Sequence, residues 1–208
     1  YLFIIRYFQV SLRFPIVTLL DKNSNRSHKK ASHALNKGVI INDHLRHASC
    51  QCGKVKFEAK DDPIVTAVCY CDDCQASGEM LQALPNSSNV LEEDKGTSYL
   101  TYRDDRWVCV LGKDLLKDYK LKDKSPTTRY VATCCNSTMY LKYMRGHWVS
   151  TYRKRFVSGD LPKIDMRTNT RFRTSQIPIP QDAPSYNRFP IKLFWKLISA
   201  RIDMARGK

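Results

Sequence analysis

Seven of the eight cysteines in this 208-residue chain fall into three short clusters. They are Cys50-Gln51-Cys52-Gly53, Cys69-Tyr70-Cys71-Asp72-Asp73-Cys74 and Cys134-Cys135-Asn136, and only Cys109 stands apart. Thiols one residue apart make poor disulfide partners, because successive Cβ vectors along a strand diverge. They make good zinc ligands, because one short turn can aim two thiolates at a single ion. Four thiolates close a site that holds a fold together, whereas three leave a position open for chemistry. Cys69, Cys71 and Cys74 supply three ligands from one segment, and Cys109, His147 or Asp73 would close that site. Cys50 and Cys52 need two more, and Cys134 and Cys135 are the obvious donors. The thiols therefore predict one or two Zn2+ per chain. An open zinc site would also lower the pKa of an incoming thiol and hold it as the nucleophilic thiolate. Gly53 and Asn136 each follow a ligand and suit a left-handed turn residue there. A vicinal Cys134–Cys135 disulfide switch is a third reading of that cluster.

The elements that must position these thiols are mostly strands. Lys54–Lys60 alternates, with Val55, Phe57 and Ala59 on one face, and Val65–Cys71 is a β-branched run leading into the second cluster. Ser98–Tyr102 and Arg106–Leu111 flank Arg103-Asp104-Asp105 and read as a hairpin. Thr128–Cys134, Thr138–Met144 and Trp148–Arg153 read as further strands, and Gln75–Leu84 as a short helix. All three clusters fall at strand ends or turns. Near the end, Ile191, Phe194, Trp195, Ile198 and Ile202 recur at helical spacing over residues 191–206. The ordinary meaning of such a stripe is packing on the parent domain, and a membrane-surface or partner-binding helix is the alternative.

The net charge of +15 lies at the two ends. Residues 1–45 carry a net +5, residues 46–152 a net +1, and residues 153–208 a net +9. This suggests a domain over 46–156 with a basic N-terminal extension (1–45) and a basic C-terminal extension (157–208), the ends suited to a polyanion such as nucleic acid or an anionic membrane. Residues 1–20 are apolar with two arginines and no acid, the composition of a mitochondrial targeting segment, although a signal anchor or a core strand would look similar. Residues 21–42 read as a polar linker. No uncharged apolar run is long enough for an ordinary transmembrane helix. Unpaired clustered thiols point to a reducing compartment: cytoplasm, nucleus or mitochondrion.

Over about residues 46–145 the chain resembles the glutathione-dependent formaldehyde-activating enzyme family, which shares its domain with centromere protein V. The family shows Cys-x-Cys-Gly, Cys-His-Cys-x-x-Cys, a Gly…Leu-x-x-Tyr segment and Arg-x-Phe-Cys-x-x-Cys-Gly. The matching segments here are Cys50–Gly53, Cys69–Cys74, Gly112–Tyr119 and Arg129–Asn136. The resemblance implies a mainly β, zinc-binding, antiparallel β-tent-like domain of two sheets. It implies one structural zinc held by Cys50, Cys52, Cys135 and a fourth thiolate, and a second at Cys69, Cys71 and Cys74 that handles glutathione or another small thiol. The implied activity is that of a carbon–sulfur lyase acting on the adduct of glutathione and formaldehyde. Three positions depart from the pattern. Ala132 stands where a ligand cysteine belongs, with Cys134 gained nearby; Tyr70 replaces a histidine; and Gln75-Ala76-Ser77-Gly78 lacks the basic residue of the family's Arg-x-x-Ser-Gly. The competing reading is a non-catalytic zinc module that binds a macromolecule through its basic ends.

Overall fold

Strand-forming alternation is realised as two sheets. The computed structural model describes residues 44–208, so the 1–20 segment and the linker fall outside the described residues. In chain order the elements are β1 (Leu45–Ser49), β2 (Lys56–Lys60), β3 (Val65–Cys69), α1 (Asp72–Gln82), β4 (Thr97–Arg103), β5 (Trp107–Leu111), β6 (Leu116–Tyr119), β7 (Thr127–Ala132), β8 (Ser137–Tyr143), β9 (Trp148–Tyr152), β10 (Phe156–Ser158), β11 (Met166–Thr168) and α2 (Ile191–Ala205). One sheet has four strands in the order β10-β1-β2-β5, and the other seven in the order β11-β3-β4-β9-β8-β7-β6. All pairings are antiparallel except that of β11 with β3. No described helix is long and apolar enough to cross a membrane.

The two sheets share one core. Val55 and, from β2, Phe57 and Ala59 meet Leu100 and Tyr102 of β4 and Val149 of β9, with Trp107 stacked on Phe57 at 4.6 Å. The opposite face of β4 turns Tyr99 toward a second apolar layer with Cys69, Cys74 and Leu81. All seven residues of β4 are therefore buried, a pattern expected of a strand covered on both faces. A bulge in the β7–β8 pairing between Tyr130 and Val131 lets Met139 join one layer and Leu141 the other.

Three expectations are corrected. The helix after the second cluster begins at Asp72, not Gln75, so Asp72, Asp73 and Cys74 lie in its first turn; acidic residues there complement the helix dipole. The Ser98–Leu111 region is not a hairpin: β4 pairs with β3 and β9, whereas β5 pairs with β2 in the other sheet. A single helical turn over Asp104–Arg106 redirects the chain, fixed by Arg103 Nε to Asp105 Oδ1 at 2.9 Å. A two-residue period cannot distinguish a hairpin from a strand that changes sheets. Finally, the α2 stripe faces outward, with Ile191 74% and Trp195 66% exposed. The helix docks by its other side, through Ala200 and partly buried Leu193 and Leu197. Polar contacts fix it: His147 Nε2 lies 2.8 Å from the Leu197 carbonyl, Lys196 Nζ donates to the Ile64 carbonyl at 3.3 Å, and Arg103 donates to the Lys208 carbonyl at 2.6 Å.

The chain beyond residue 156 is part of both sheets. Ser158 and Phe156 pair with β1, and Met166–Thr168 completes the edge beside Ala67–Cys69. Arg155 and Arg167 are buried.

Candidate metal centres and the cleft beside them

Turn geometry assembles the first centre. Cys50 directly follows β1 and Gly53 bends the chain at φ +78°, its amide donating to the Cys50 carbonyl at 3.0 Å. Cys134 and Cys135 lie in the β7–β8 turn, which Asn136 closes at φ +51°. Both left-handed residues occur where the sequence predicts them. The four sulfurs of Cys50, Cys52, Cys134 and Cys135 lie within 4.8 Å of one another. Cys52–Cys134 is 3.3 Å, Cys50–Cys52 3.6 Å, Cys50–Cys134 3.8 Å and Cys134–Cys135 3.9 Å. A tetrahedral zinc with bonds of about 2.3 Å spaces its sulfurs about 3.8 Å apart, so the quartet fits such an ion. The Val55 amide donates to Cys50 Sγ at 3.2 Å, as expected around a thiolate. Burial opposes ionisation of Cys135, but hydrogen bonds from Ser137 and the Cys52 amide outweigh it and bring the thiol down to about 6. Burial pushes the Cys134 thiol up, reinforced by hydrogen bonding to Cys52 and Cys50.

The second centre forms where β3 meets α1. Cys69 is the last residue of β3, Cys71 is the N-cap of α1, and Cys74 lies one turn in. Their sulfurs lie within 4.8 Å of one another, and among the described residues no His, Cys, Asp or Glu joins them as a fourth. Neither Cys109 nor His147 fills that role: Cys109 is on β5 with its sulfur 3.4 Å from the Leu111 carbonyl, and His147 is engaged with α2. Hydrogen bonds from Cys71 and Cys74 pull Cys69 well below the ordinary thiol range. The same contacts push Cys71 up to about 12 and Cys74 upward as well. Asn169, just after β11, points Nδ2 at Cys69 Sγ at 3.6 Å, and Tyr99 Oη lies 3.6 Å from Cys74 Sγ.

Each centre has a buried arginine beside it. Arg129 on β7 is 2% exposed and donates to the Asp73 carbonyl at 3.2 Å, while its Nε and one terminal nitrogen have no partner among the described residues. A buried guanidinium without an anion is costly, and three thiolates around a divalent cation leave the single negative charge that would offset it. Arg155 is 8% exposed, and the charges of Cys135 and Cys50 counter the effect of its burial. Arginine in the middle of an apolar strand was the available signal for Arg129; Arg155 was hidden in the run Arg153-Lys154-Arg155.

Cys71 opens onto a cleft of about 550 Å³. It is lined by Asp72 and Asp73 of α1 and by Asn169, Arg171, Phe172, Arg188, Phe189 and Phe194 of the C-terminal segment.

The sequence profile of the family described as glutathione-dependent formaldehyde-activating enzyme matches residues 45–151. The chain belongs to the glutathione-dependent formaldehyde-activating family. A crystal structure of a Rhodobacter sphaeroides protein, a structural genomics target, overlays with a TM-score of 0.39 at 15% identity, covering 56% of this chain and 91% of that one. No curated protein matches the sequence.

Within this family the three departures acquire structural meaning. Ala132 is fully buried in the inter-sheet core, and Cys134 supplies the thiol that completes the quartet. Tyr70 donates to Asp94 Oδ2 at 2.6 Å and accepts from Arg167 of β11 at 2.6 Å. Gln75 donates to the Phe172 carbonyl at 2.8 Å and accepts from the Thr174 amide and hydroxyl at 3.2 and 2.7 Å. Tyr70 and Gln75, the two changed positions around the trio, thus both clamp the C-terminal segment against it.

Proposed function

We propose that the protein binds two zinc ions, a closed one at Cys50, Cys52, Cys134 and Cys135 and an open one at Cys69, Cys71 and Cys74, and that it acts at the open site as a carbon–sulfur lyase-like enzyme on a small thiol such as glutathione. The observation that supports this reading is the trio itself: three convergent thiols, no fourth ligand among the described residues, and Cys71 lining an open cleft. Zinc bound there supplies an acidified thiol, holding the incoming sulfur as thiolate. The chain's own contribution is to preorganise the ligands. Cys69 enters from the end of β3, Cys74 from a helix, and Asn169 and Tyr99 set their orientation. In the adduct-forming direction the substrate sulfur would add to the aldehyde carbon, forming the C–S bond; the carbonyl electron pair moves to oxygen, which takes the proton lost from the thiol. Cleavage is the reverse.

The test is zinc stoichiometry together with turnover. Wild type is expected to hold two zincs and Cys71→Ser one, with formation of the glutathione–formaldehyde adduct accelerated by wild type only. One zinc in wild type, or adduct formation no faster than the uncatalysed rate, would remove the lyase reading.

A further inference from the structure

We infer that Arg171 and Arg188 form a carboxylate-binding subsite beside Cys71, so that the cleft selects an acidic, amino-acid-derived thiol and the C-terminal segment is its specificity wall. This rests on the reading of Cys69, Cys71 and Cys74 as a thiol-binding centre.

The sequence around the trio lacks the basic residue that the family pattern carries after its last cysteine; Gln75 occupies that position. Gln75 is 4% exposed and spends its amide on the loop from Phe172 to Thr174. Arg171 directly precedes that loop, and its guanidinium carbon lies 4.3 Å over the Phe172 ring. The position that lost a charge now fixes the loop next to one. Arg188 faces the same cleft from further along the segment.

Four other arginines, Arg46, Arg103, Arg106 and Arg167, each pair with an aspartate. Arg171 and Arg188 are exposed and have no carboxylate partner among the described residues. A guanidinium stacked on an aromatic face keeps its N–H fork free for a planar carboxylate. Asp72 and Asp73 line the same cleft and are suited to an ammonium. Phe172, Phe189 and Phe194 provide apolar wall between the charged groups. A ligand that meets all these features has a thiol, two carboxylates and an ammonium, which is the charge pattern of a γ-glutamyl-cysteinyl peptide.

The experiment uses the full chain with cobalt(II) in place of zinc, read by the thiolate-to-metal charge-transfer band and by calorimetry. Glutathione, its diethyl ester and cysteamine are titrated into wild type, Arg171→Gln, Arg188→Gln and the double variant. Glutathione is expected to shift the band, with affinity falling on the order of tenfold for each arginine removed. The ester and cysteamine are expected to bind wild type and variants alike. Both arginines are exposed, so unchanged circular dichroism and thermal melts serve as the folding control. Glutathione affinity unchanged in the double variant, with the band still shifting, would overturn the subsite and leave the thiol centre standing. If none of the three thiols perturbs the band in wild type, the thiol centre itself falls.

Discussion

Arg129 is a full positive charge in an apolar layer, and its sign makes a prediction at the residue scale. With the trio empty and mostly protonated, the guanidinium is a burden, because only the Asp73 carbonyl answers it. With the trio loaded, three thiolates around a divalent ion are net negative and the same charge becomes favourable. Arg129→Met should therefore leave the chelated protein as stable as wild type, or slightly more so, while lowering cobalt affinity at the trio by about 10–100-fold, the equivalent of about 1–3 kcal/mol. Competition titration with a metal indicator, paired with urea melts in chelator, separates the two effects. A variant equally destabilised with and without metal would show Arg129 to be a packing residue only. The thiols themselves were readable in the sequence, because ligand spacing is local. Their arginines were not, because charge compensation is a matter of three-dimensional neighbours.

At the scale of elements, local periodicity located seven of the eleven described strands and both helices, missing β1, β6, β10 and β11, and it did not show what each one touches. Alternation in Lys54–Lys60 correctly puts Val55, Phe57 and Ala59 on the buried face. The same kind of pattern could not show that β4 and β5 belong to different sheets, or that the α2 stripe looks outward. The C-terminal segment is the largest case: its composition reads as a free basic tail, yet its contacts to the trio span 97 to 100 residues and leave no local trace. Arg167 is one of its anchors, pairing with Asp182 at 2.8 Å and with Tyr70. The hydrogen bond from Arg167 is the main cause that holds the Asp182 carboxyl below its usual range. A carboxyl with a depressed folded pKa contributes stability above its unfolded pKa of about 3.9. That contribution is lost as pH falls through the folded value. Asp182 is half exposed, so Asp182→Asn should cost no more than about 1 kcal/mol at pH 7. In urea melts the difference from wild type should persist down to about pH 4 and vanish at about pH 2; a difference constant across that range would assign the effect to something other than the charge.

For the whole molecule the quartet is a rivet between sheets. Cys50 and Cys52 sit on the β1–β2 turn of the four-stranded sheet, and Cys134 and Cys135 on the β7–β8 turn of the seven-stranded one. A metal bound only by the folded state at about a thousand times its dissociation constant adds about 4 kcal/mol. For a chain of this size that corresponds to about 8–16 °C in melting temperature. Chelation should lower the melting temperature by about that amount in Cys71→Ser and by more in wild type, and in Cys52→Ser it should remove only what the trio's metal adds, as measured by calorimetry with and without chelator. The late-joining strand β11 has another consequence, in time rather than in space. Cys69 is synthesised about 100 residues before Thr168, its neighbour in the sheet, and at about 5–20 residues per second that delay is about 5–20 s. During this interval the three thiols exist on the nascent chain without Asn169, Arg167 or the wall of the cleft. The growing polypeptide must therefore keep them reduced and uncommitted until the segment carrying β11 emerges, so oxidant exposure during translation should harm this protein more than the same exposure after release.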